Sequence, residues 1–413
     1  MTIFNSLGSN YVLRDALLAL RELIWPNQKS KIELKKKLES EFVGKAVLLF
    51  GGRDAIEYCL KAYGVKRNDS VLTQAFSCSS IEEAINRTGA RAEYFDLSPG
   101  SIKSTITQVE QAYARSKNPK VLILQHGLGY VDDVEQIKEF CLKKKLILIE
   151  DLAQAVGAVD SRGNKVGSFA DAIILSFGRD KILDAISGGA VIFKSSSNVS
   201  YTMPRLIDWF ELSHDWKNKR QVLKLLLYPT LTLVIRSTYS VGLGKLIHRL
   251  AQKSKLMESS IISSHSSYQS FPAYFAPLAI NKLSSIDVQL EHRRKISLYY
   301  LQELKSNKNY QVLVDKRAIK QGTNLRFPVM FSSPNKLSSA IKYLKTKNVF
   351  LADRWYKAPV DSASQVFASD YQLGSCPNAE KLSKQLLNLP THQQIGQKEA
   401  SKIIQTIKNW EKY

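Results

Sequence analysis

"KVLILQHGLGYVDDVEQIKEFCLKKKLILIE", residues 120 to 150, holds two short apolar runs separated by a helix-length stretch. The runs, Val121 to Gln125 and Leu146 to Glu150, carry no polar residue until their last position. A strand wetted on one face alternates apolar with polar side chains, whereas runs as unbroken as these suit strands buried on both faces. Between them, Val134 to Lys144 is long enough for a helix. The stretch therefore reads as strand, helix, strand, the unit from which parallel sheets are built.

The same alternation extends outward on both sides. Further runs lie at Ala46 to Phe50, Ser70 to Gln74, Arg91 to Phe95, Ala172 to Phe177 and Gly188 to Phe193, with helical stretches at Asp54 to Tyr63, Ser79 to Thr88 and Thr107 to Ser116. The expected class is α/β: a large domain with a mostly parallel seven-stranded sheet flanked by helices, and a smaller C-terminal α/β domain. Residues 11 to 43 read as two helices broken at Pro26. Past about residue 195 the alternation stops. A basic apolar segment and the Ser-rich loop "ESSIISSHSSYQS" (258 to 270) come first. One long helix is expected over 274 to 305, then a strand at Leu325 to Phe331 and helices at Pro334 to Lys347, Ala379 to Leu387 and Gln397 to Lys412. The expected divisions are N-terminal helices (1–45), a large cofactor-binding domain (46–200), a basic apolar insertion (201–270), and a long helix with the small domain (271–413).

Composition narrows the setting. A chain of 413 residues with 44% hydrophobic and 23% charged residues is that of a folded globular protein. Its four cysteines are scattered without a CxxC pair, which favours a reducing compartment. With no signal-peptide pattern at the N-terminus, a cytoplasmic location is expected. The net charge of +22 points to a polyanionic partner. From Trp216 to Met257 there are nine basic residues and no acidic one, among many Leu, Val, Ile and Tyr. No base-reading motif accompanies the charge, so nucleic acid is set aside in favour of an anionic membrane surface. The apolar run Leu225 to Ile235 is interrupted by Pro229 and falls short of the roughly 20 residues a spanning helix needs. Leu246, Ile247, Leu250 and Met257 with Lys245, Arg249, Lys253 and Lys255 suggest an amphipathic basic helix. Peripheral contact through 217–257, at the inner face of the membrane, is expected. A hairpin packed on a partner subunit is the alternative.

In open α/β sheets ligands bind at the carboxyl ends of the strands. Three features sit there. Gly51 and Gly52 in "GGRDAIEYCL" open a helix whose free N–H groups suit a phosphate, or form an ordinary turn. Asp151 ends a buried strand, or caps a helix. Lys181 follows the strand Ala172 to Phe177, or is a solvated loop lysine. Together they have one chemical reading. Pyridoxal phosphate needs a lysine for its Schiff base, a carboxylate that keeps the pyridine nitrogen protonated, and donors for its phosphate. His126 fits either a place near the cofactor ring or a core position. His214, His248, His265, His292 and His392 show no metal-ligand spacing, and no metal is expected.

"IEDLAQAVGA" (149–158) followed by "GNKVGSFADAIILSFGRDKILDAISGGAVIF" (163–193) resembles the central signature of the DegT/StrS-type nucleotide-sugar aminotransferases, fold-type I pyridoxal phosphate enzymes. "VLTQAFSCSSIEEAI" (71–85), "AEYFDL" (92–97), "LILQHGLGYVDDVEQI" (122–137), "DRWYKAPV" (353–360) and "CPNAEKLSKQLLNLPTH" (376–392) resemble that family's other motifs, leaving about 200 to 270 uncovered. The resemblance implies that Lys181 forms the Schiff base and later moves the proton, and that Asp151 pairs with the pyridine nitrogen. It places Gln154 by the phenolic oxygen, and Ser176 with the Gly52–Arg53 backbone on the phosphate. It further implies a homodimer that moves an amino group, with glutamate the expected donor, to a keto sugar nucleotide in polysaccharide, lipopolysaccharide or glycan biosynthesis.

Four positions depart from the family pattern. Gly51-Gly52-Arg53 stands for Ser-Gly-Thr, and the Arg53 guanidinium can replace the lost hydroxyls with a charge-assisted contact. Cys78 stands where an aromatic stacks on the cofactor, and Phe76 can lean in only if the backbone leaves strand geometry. Tyr268 aligns with the partner subunit's phosphate-binding asparagine, and Ser187 with a glutamate. Two alternatives stay open: a membrane-docked member with a degenerate cofactor site, and a pyridoxal phosphate enzyme doing another reaction. The family's dehydratases carry histidine in place of the Schiff-base lysine, so Lys181 argues against that branch.

Overall fold

Seven strands form one sheet: β1 (Gly44–Leu49), β2 (Ser70–Gln74), β3 (Arg91–Phe95), β4 (Pro119–Gln125), β5 (Ile147–Asp151), β6 (Ala172–Ser176) and β7 (Gly189–Lys194). Their spatial order is β1-β7-β6-β5-β4-β2-β3. All neighbours run parallel except β7, which is antiparallel to both β1 and β6. The computed structural model describes residues 2–194, 219–254, 256–257, 270–361 and 369–412. Tyr268, the Ser-rich loop up to residue 269, and the segment 201–218 lie outside the described residues.

The unbroken apolar run of β4 is explained by its place at the centre. Leu122 and Leu124 join one core layer, while Val121 and Ile123 join the layer on the opposite face. Helices cover both faces: α1 (Leu13–Ile24), α2 (Lys29–Phe42), α3 (Gly52–Ala62), α4 (Ser79–Asn86), α5 (Ile106–Arg115) and α6 (Val134–Lys144). Helices α3 and α4 pack on the Val121 side, through Ile56, Cys59, Leu60 and Ile81. Side chains of α2, α5 and α6 fill the other face, among them Leu34, Leu38, Val109 and Ile137.

The basic segment forms three short helices, α7 (Lys219–Leu226), α8 (Tyr228–Thr238) and α9 (Leu243–Lys253). Pro229 sits in the first turn of α8, where its missing N–H leaves no bond unmade. The single helix expected over 274–305 is instead two, α10 (Ala276–Ser284) and α11 (Ile286–Glu303). The break is at Ser285, whose hydroxyl donates back to the Asn281 carbonyl (2.8 Å) and so competes with the helical backbone. Four more helices follow, α12 (Lys316–Gln321), α13 (Pro334–Thr346), α14 (Pro377–Gln385) and α15 (Gln397–Trp410).

Strands β8 (Tyr310–Val312), β9 (Arg326–Phe331) and β10 (Leu386–Pro390) form a second, antiparallel sheet in that order. Its core gathers Phe327, Val329, Leu387, Leu389, Ile403 and Ile407. Strand β10 takes residues that the sequence pattern assigned to a helix end, because pairing with β9 buries the whole of "LLNLP". One further pairing bears on the site: Val360–Asp361 runs parallel to Ser77–Cys78 and ties the C-terminal half to the loop after β2. Among the described residues no helix is long and apolar enough to cross a membrane.

Candidate active site

Gln125, Asp151 and Ser176, at the carboxyl ends of β4, β5 and β6, open into one cleft of about 480 Å³. Gly52, Arg53, Cys78, Gln154 and Lys181 line the same cleft, so all seven residues picked from the sequence for this site meet there.

Glycine is required by close approach at one end. A Cβ on Gly189 would lie 2.6 Å from the backbone of Gly51 and Gly52, so the pair Gly188-Gly189 lets the loop after β1 sit against β7. Helix α3 starts at Gly52, and its first-turn residues line the cleft beside the Ser176 hydroxyl, 3.2 Å from where a Gly52 Cβ would stand. Such a helix start suits an anion. The Arg53 guanidinium does not project into this cradle unpaired. It forms an ion pair with Glu83 (2.8 Å) and reaches Ser80 (3.5 Å), which revises the expectation that it replaces the lost hydroxyls. Asp54 shares the first turn, and burial pushes its pKa up to about 6 against the opposing charge of Arg87.

Lys181 sits in a loop held from beneath by the N-terminal segment. The Asn10 amide donates to the Lys181 carbonyl (2.9 Å) and to Asp184 (3.3 Å). Asp184 also accepts from the backbone N–H groups of Asp180 (2.8 Å) and Ile186 (3.2 Å) and from the Tyr11 hydroxyl. Burial, then the charge of Asp180, raises the pKa of Asp184 to about 6. The lysine nitrogen itself makes no salt bridge among the described residues and lies 4.9 Å from the centre of the Trp355 ring. Across the cleft, one oxygen of Asp151 accepts the Ala153 N–H (2.9 Å), and the other has no hydrogen-bond partner among the described residues. Burial raises the Asp151 pKa, opposed by that N–H and by the charge of Lys181.

His126 is buried behind this wall rather than lining it. The Asp132 N–H donates to its Nδ1 (3.3 Å), so Nε2 carries the proton and donates to Glu150 (3.1 Å). Gln154 accepts the Leu128 N–H (2.8 Å) and donates to the Tyr356 hydroxyl (2.7 Å). At the aromatic position, Cys78 contacts the Ser80 hydroxyl (3.2 Å). Phe76 has left strand geometry (φ 65°), yet its ring packs edge-on against Tyr356 (5.4 Å) and does not line the cleft. Trp355 and Tyr356 supply the aromatic surface instead, their rings near parallel (7°). Asn388 clamps the Trp355 backbone by bonds to its N–H (2.6 Å) and carbonyl (2.8 Å). Ser187, at the family's glutamate position, bonds the Phe50 carbonyl (3.0 Å). Sequence reasoning missed Asn10, Asp184, Trp355 and Tyr356. Two adjacent aromatics inside the polar "DRWYKAPV" were the available signal for the last two.

The DegT/DnrJ/EryC1/StrS aminotransferase family profile matches residues 28–207 and 271–408, which is most of the chain. The chain belongs to that family. Among members of the DegT/DnrJ/EryC1/StrS family and related proteins, it is 32% identical over 170 residues to a pleiotropic regulatory protein of Geobacillus stearothermophilus, covering 40% of this chain and 45% of that protein. The chain thus matches less than half the length of the first curated relatives. It is 24% identical to the UDP-4-amino-4,6-dideoxy-N-acetyl-beta-L-altrosamine transaminase of Campylobacter jejuni, over 95% of this chain and 93% of that one. The fold is shared with Spr1654 of Streptococcus pneumoniae, a candidate sugar aminotransferase solved in its PLP form. The TM-score is 0.74 at 16% identity, covering 100% of this chain and 99% of that one.

Proposed function

We propose that this protein is a pyridoxal-phosphate-dependent aminotransferase that moves an amino group, with glutamate as donor, to a keto sugar nucleotide in glycan or polysaccharide biosynthesis. The observation that carries this reading is the pairing of Lys181 and Asp151 in one cleft. The lysine is unspent in any ion pair among the described residues, and the carboxylate, which lines the cleft, has one oxygen without a hydrogen-bond partner among them. Family membership and the full-length match to a UDP-sugar transaminase support it.

The residues present fit the cofactor. A free carboxylate oxygen suits a pyridine N–H, and the cradle of α3 N–H groups and Ser176 suits a phosphate. Bound there, the cofactor supplies the electron sink that lets the donor's Cα–H bond break and its nitrogen be passed on. Lys181 tethers the cofactor and carries the proton. The absence of a carboxylate partner among the described residues leaves its amine available for that work. Asp151 holds the proton on the pyridine nitrogen, for which its burial demands a cationic or N–H partner. Gln154, fixed at both ends by Leu128 and Tyr356, would offer the remaining N–H of its amide to the cofactor's phenolic oxygen. Ser176 and the backbone of Gly52 and Arg53 would hold the phosphate, and with Cys78 at the aromatic position the ring's aromatic contact would fall to Trp355 and Tyr356, which line the cleft. The degenerate-site and non-transaminating alternatives are not favoured, since the lysine, the acid and the anion cradle are all in place. We further take the protein to act as a homodimer in the cytoplasm, with peripheral contact to an anionic membrane through 217–257.

The absorption spectrum of the protein reconstituted with pyridoxal phosphate tests the reading. Added glutamate should convert the yellow form to the pyridoxamine form, and a keto sugar nucleotide should restore it. A protein that stays colourless, with no borohydride-fixed label on Lys181, would sink it.

A further inference from the structure

Helix α1 packs Leu18 and Leu23 against the core but leaves an apolar row on its outer side. Amphipathic helices of globular proteins turn their large apolar side chains inward. Here Ala16 and Ala19 fill the buried side, while Leu13, Leu17 and Ile24 are 57–68% exposed and Trp25, just past the helix end, is 71% exposed. The helix's two acids face in. Asp15 is buried against Lys282 (2.6 Å), and Glu22 is buried with Arg21 (3.0 Å) and the Asn27 N–H (2.8 Å). Arg14 and Arg21 face solvent. The outward side of α1 is therefore aliphatic and basic, with no acid on it.

Helix α9 shows the same inversion. Gly244 and Ala251 are buried, while Leu243, Leu246 and Leu250 are more than half exposed, beside exposed Lys245, Arg249 and Lys253. Helix α8 packs against both α1 and α9 and adds exposed Val234. Exposed apolar rows of this extent mark an interaction site.

We infer that α1 and α9 together dock the protein on an anionic lipid surface, with Trp25 as the interfacial anchor. This rests on the peripheral contact proposed above for 217–257 and extends it to a second element, more than 200 residues away in sequence. Charge complementarity selects the occupant. A second copy in a two-fold contact would oppose this face to itself, bringing Arg14, Lys245, Arg249 and Lys253 against their own kind with no exposed acid on α1 or α9 between them. A lipid surface rich in phosphatidylglycerol offers acyl chains to the leucines and anionic headgroups to the flanking cations. Each basic residue near such a surface strengthens partition on the order of five-fold, and tryptophan favours the headgroup level.

The test is flotation of the full-length, cofactor-loaded protein with vesicles of phosphatidylglycerol and phosphatidylcholine, and with phosphatidylcholine alone. The native protein should float with the first at low salt and not with the second. Leu17→Asp, Trp25→Ala and Leu246→Asp should each lower the bound fraction about ten-fold, while the glutamate-driven spectral change stays intact. If both α1 variants float like the native protein and Leu246→Asp does not, α1 is no part of the surface. If the native protein fails to bind at low salt, the membrane reading falls entirely, while the spectral test judges the aminotransferase reading separately. Light scattering on the same variants covers the other occupant: a dimer that becomes a monomer on Leu17→Asp would hand this face to the subunit contact and overturn the inference. Should Leu17→Asp fail to fold, Trp25→Ala decides, because truncating a side chain that exposed leaves the core untouched.

Discussion

The two walls of the cleft are built in opposite ways. The wall that presents Lys181 is over-determined: Asp184 accepts four donors, Asn10 holds both the lysine carbonyl and Asp184, and Arg293 in turn holds Asn10 (2.8 Å). The facing wall, Trp355 to Lys357, is attached by backbone bonds to Asn388, by Tyr356 to Gln154, and by the pairing of Ser77–Cys78 with Val360–Asp361. Reacting groups tolerate displacement of only a fraction of an ångström, which fits the proposal that the wall locked by buried hydrogen bonds is the one where bonds are made and broken. A wall that selects what fits can be refitted at smaller cost. Cys78 and the Arg53–Glu83 pair, two of this chain's departures from its family, lie outside the locked lattice.

The strongest way to break that comparison is at the lysine. Lys181→Ala should lower transamination by more than about 10³-fold while the melting temperature stays unchanged, because the amine holds no ion pair among the described residues. Loss of fold in that variant, read by circular dichroism, would show that the amine supports the wall instead of being presented by it. Asp151→Asn comes next. It keeps the shape and the Ala153 contact but cannot hold a proton on a pyridine nitrogen, so turnover should fall roughly 10²–10³-fold with cofactor still bound. Near-native turnover would remove Asp151 from the chemistry.

These two residues were also the most legible. Asp151, Gln154, Ser176 and Lys181 fall in one continuous stretch, and the sheet that carries them announces itself through runs such as Val121 to Leu124, apolar because both faces are covered. What stayed hidden acts across distance. Asn10 and Tyr11 meet Asp184 over more than 170 positions, and nothing local in "GSNYVL" marks those side chains as loop supports. The ion pair of the Arg53 guanidinium with Glu83, thirty positions on, was likewise out of reach of a local reading. His126 sat between two readings that only its partner Glu150 separates. Strand β10 was lost because its pairing with β9 overrides the local pattern, and the break at Ser285 because apolar periodicity does not register a hydroxyl that bonds back to the Asn281 carbonyl.

Asp184→Ala probes the locked wall directly. It strands four donors in a buried site, each short of a partner, and should lower stability by about 2–4 kcal/mol, read as a drop in the denaturant midpoint at constant slope. Borohydride fixation of the cofactor at position 181 should fall with it. If stability and fixation both match the native protein, the hydrogen-bond lattice does not position the lysine.

The smallest effect belongs to the facing wall. The Trp355 ring lies 4.9 Å from both the Lys181 amine and the Arg326 guanidinium, and it lines the cleft without a proton to exchange. Truncation to alanine removes a cation–π face worth about 0.5–2 kcal/mol and a flat surface for a substrate ring. It leaves the bonds that hold the loop in place, since Asn388 grips the Trp355 backbone and not its side chain. Trp355→Ala should therefore raise KM for the keto sugar about ten-fold, equivalent to about 1.4 kcal/mol, with kcat within a few-fold. Tyr356→Phe is the companion: the ring remains, but the Gln154 amide loses its acceptor at 2.7 Å. It should disturb the visible spectrum of the bound cofactor more than it disturbs KM. A fall in kcat at constant KM for Trp355→Ala would move that ring to the chemical side, and the two walls would no longer divide the labour.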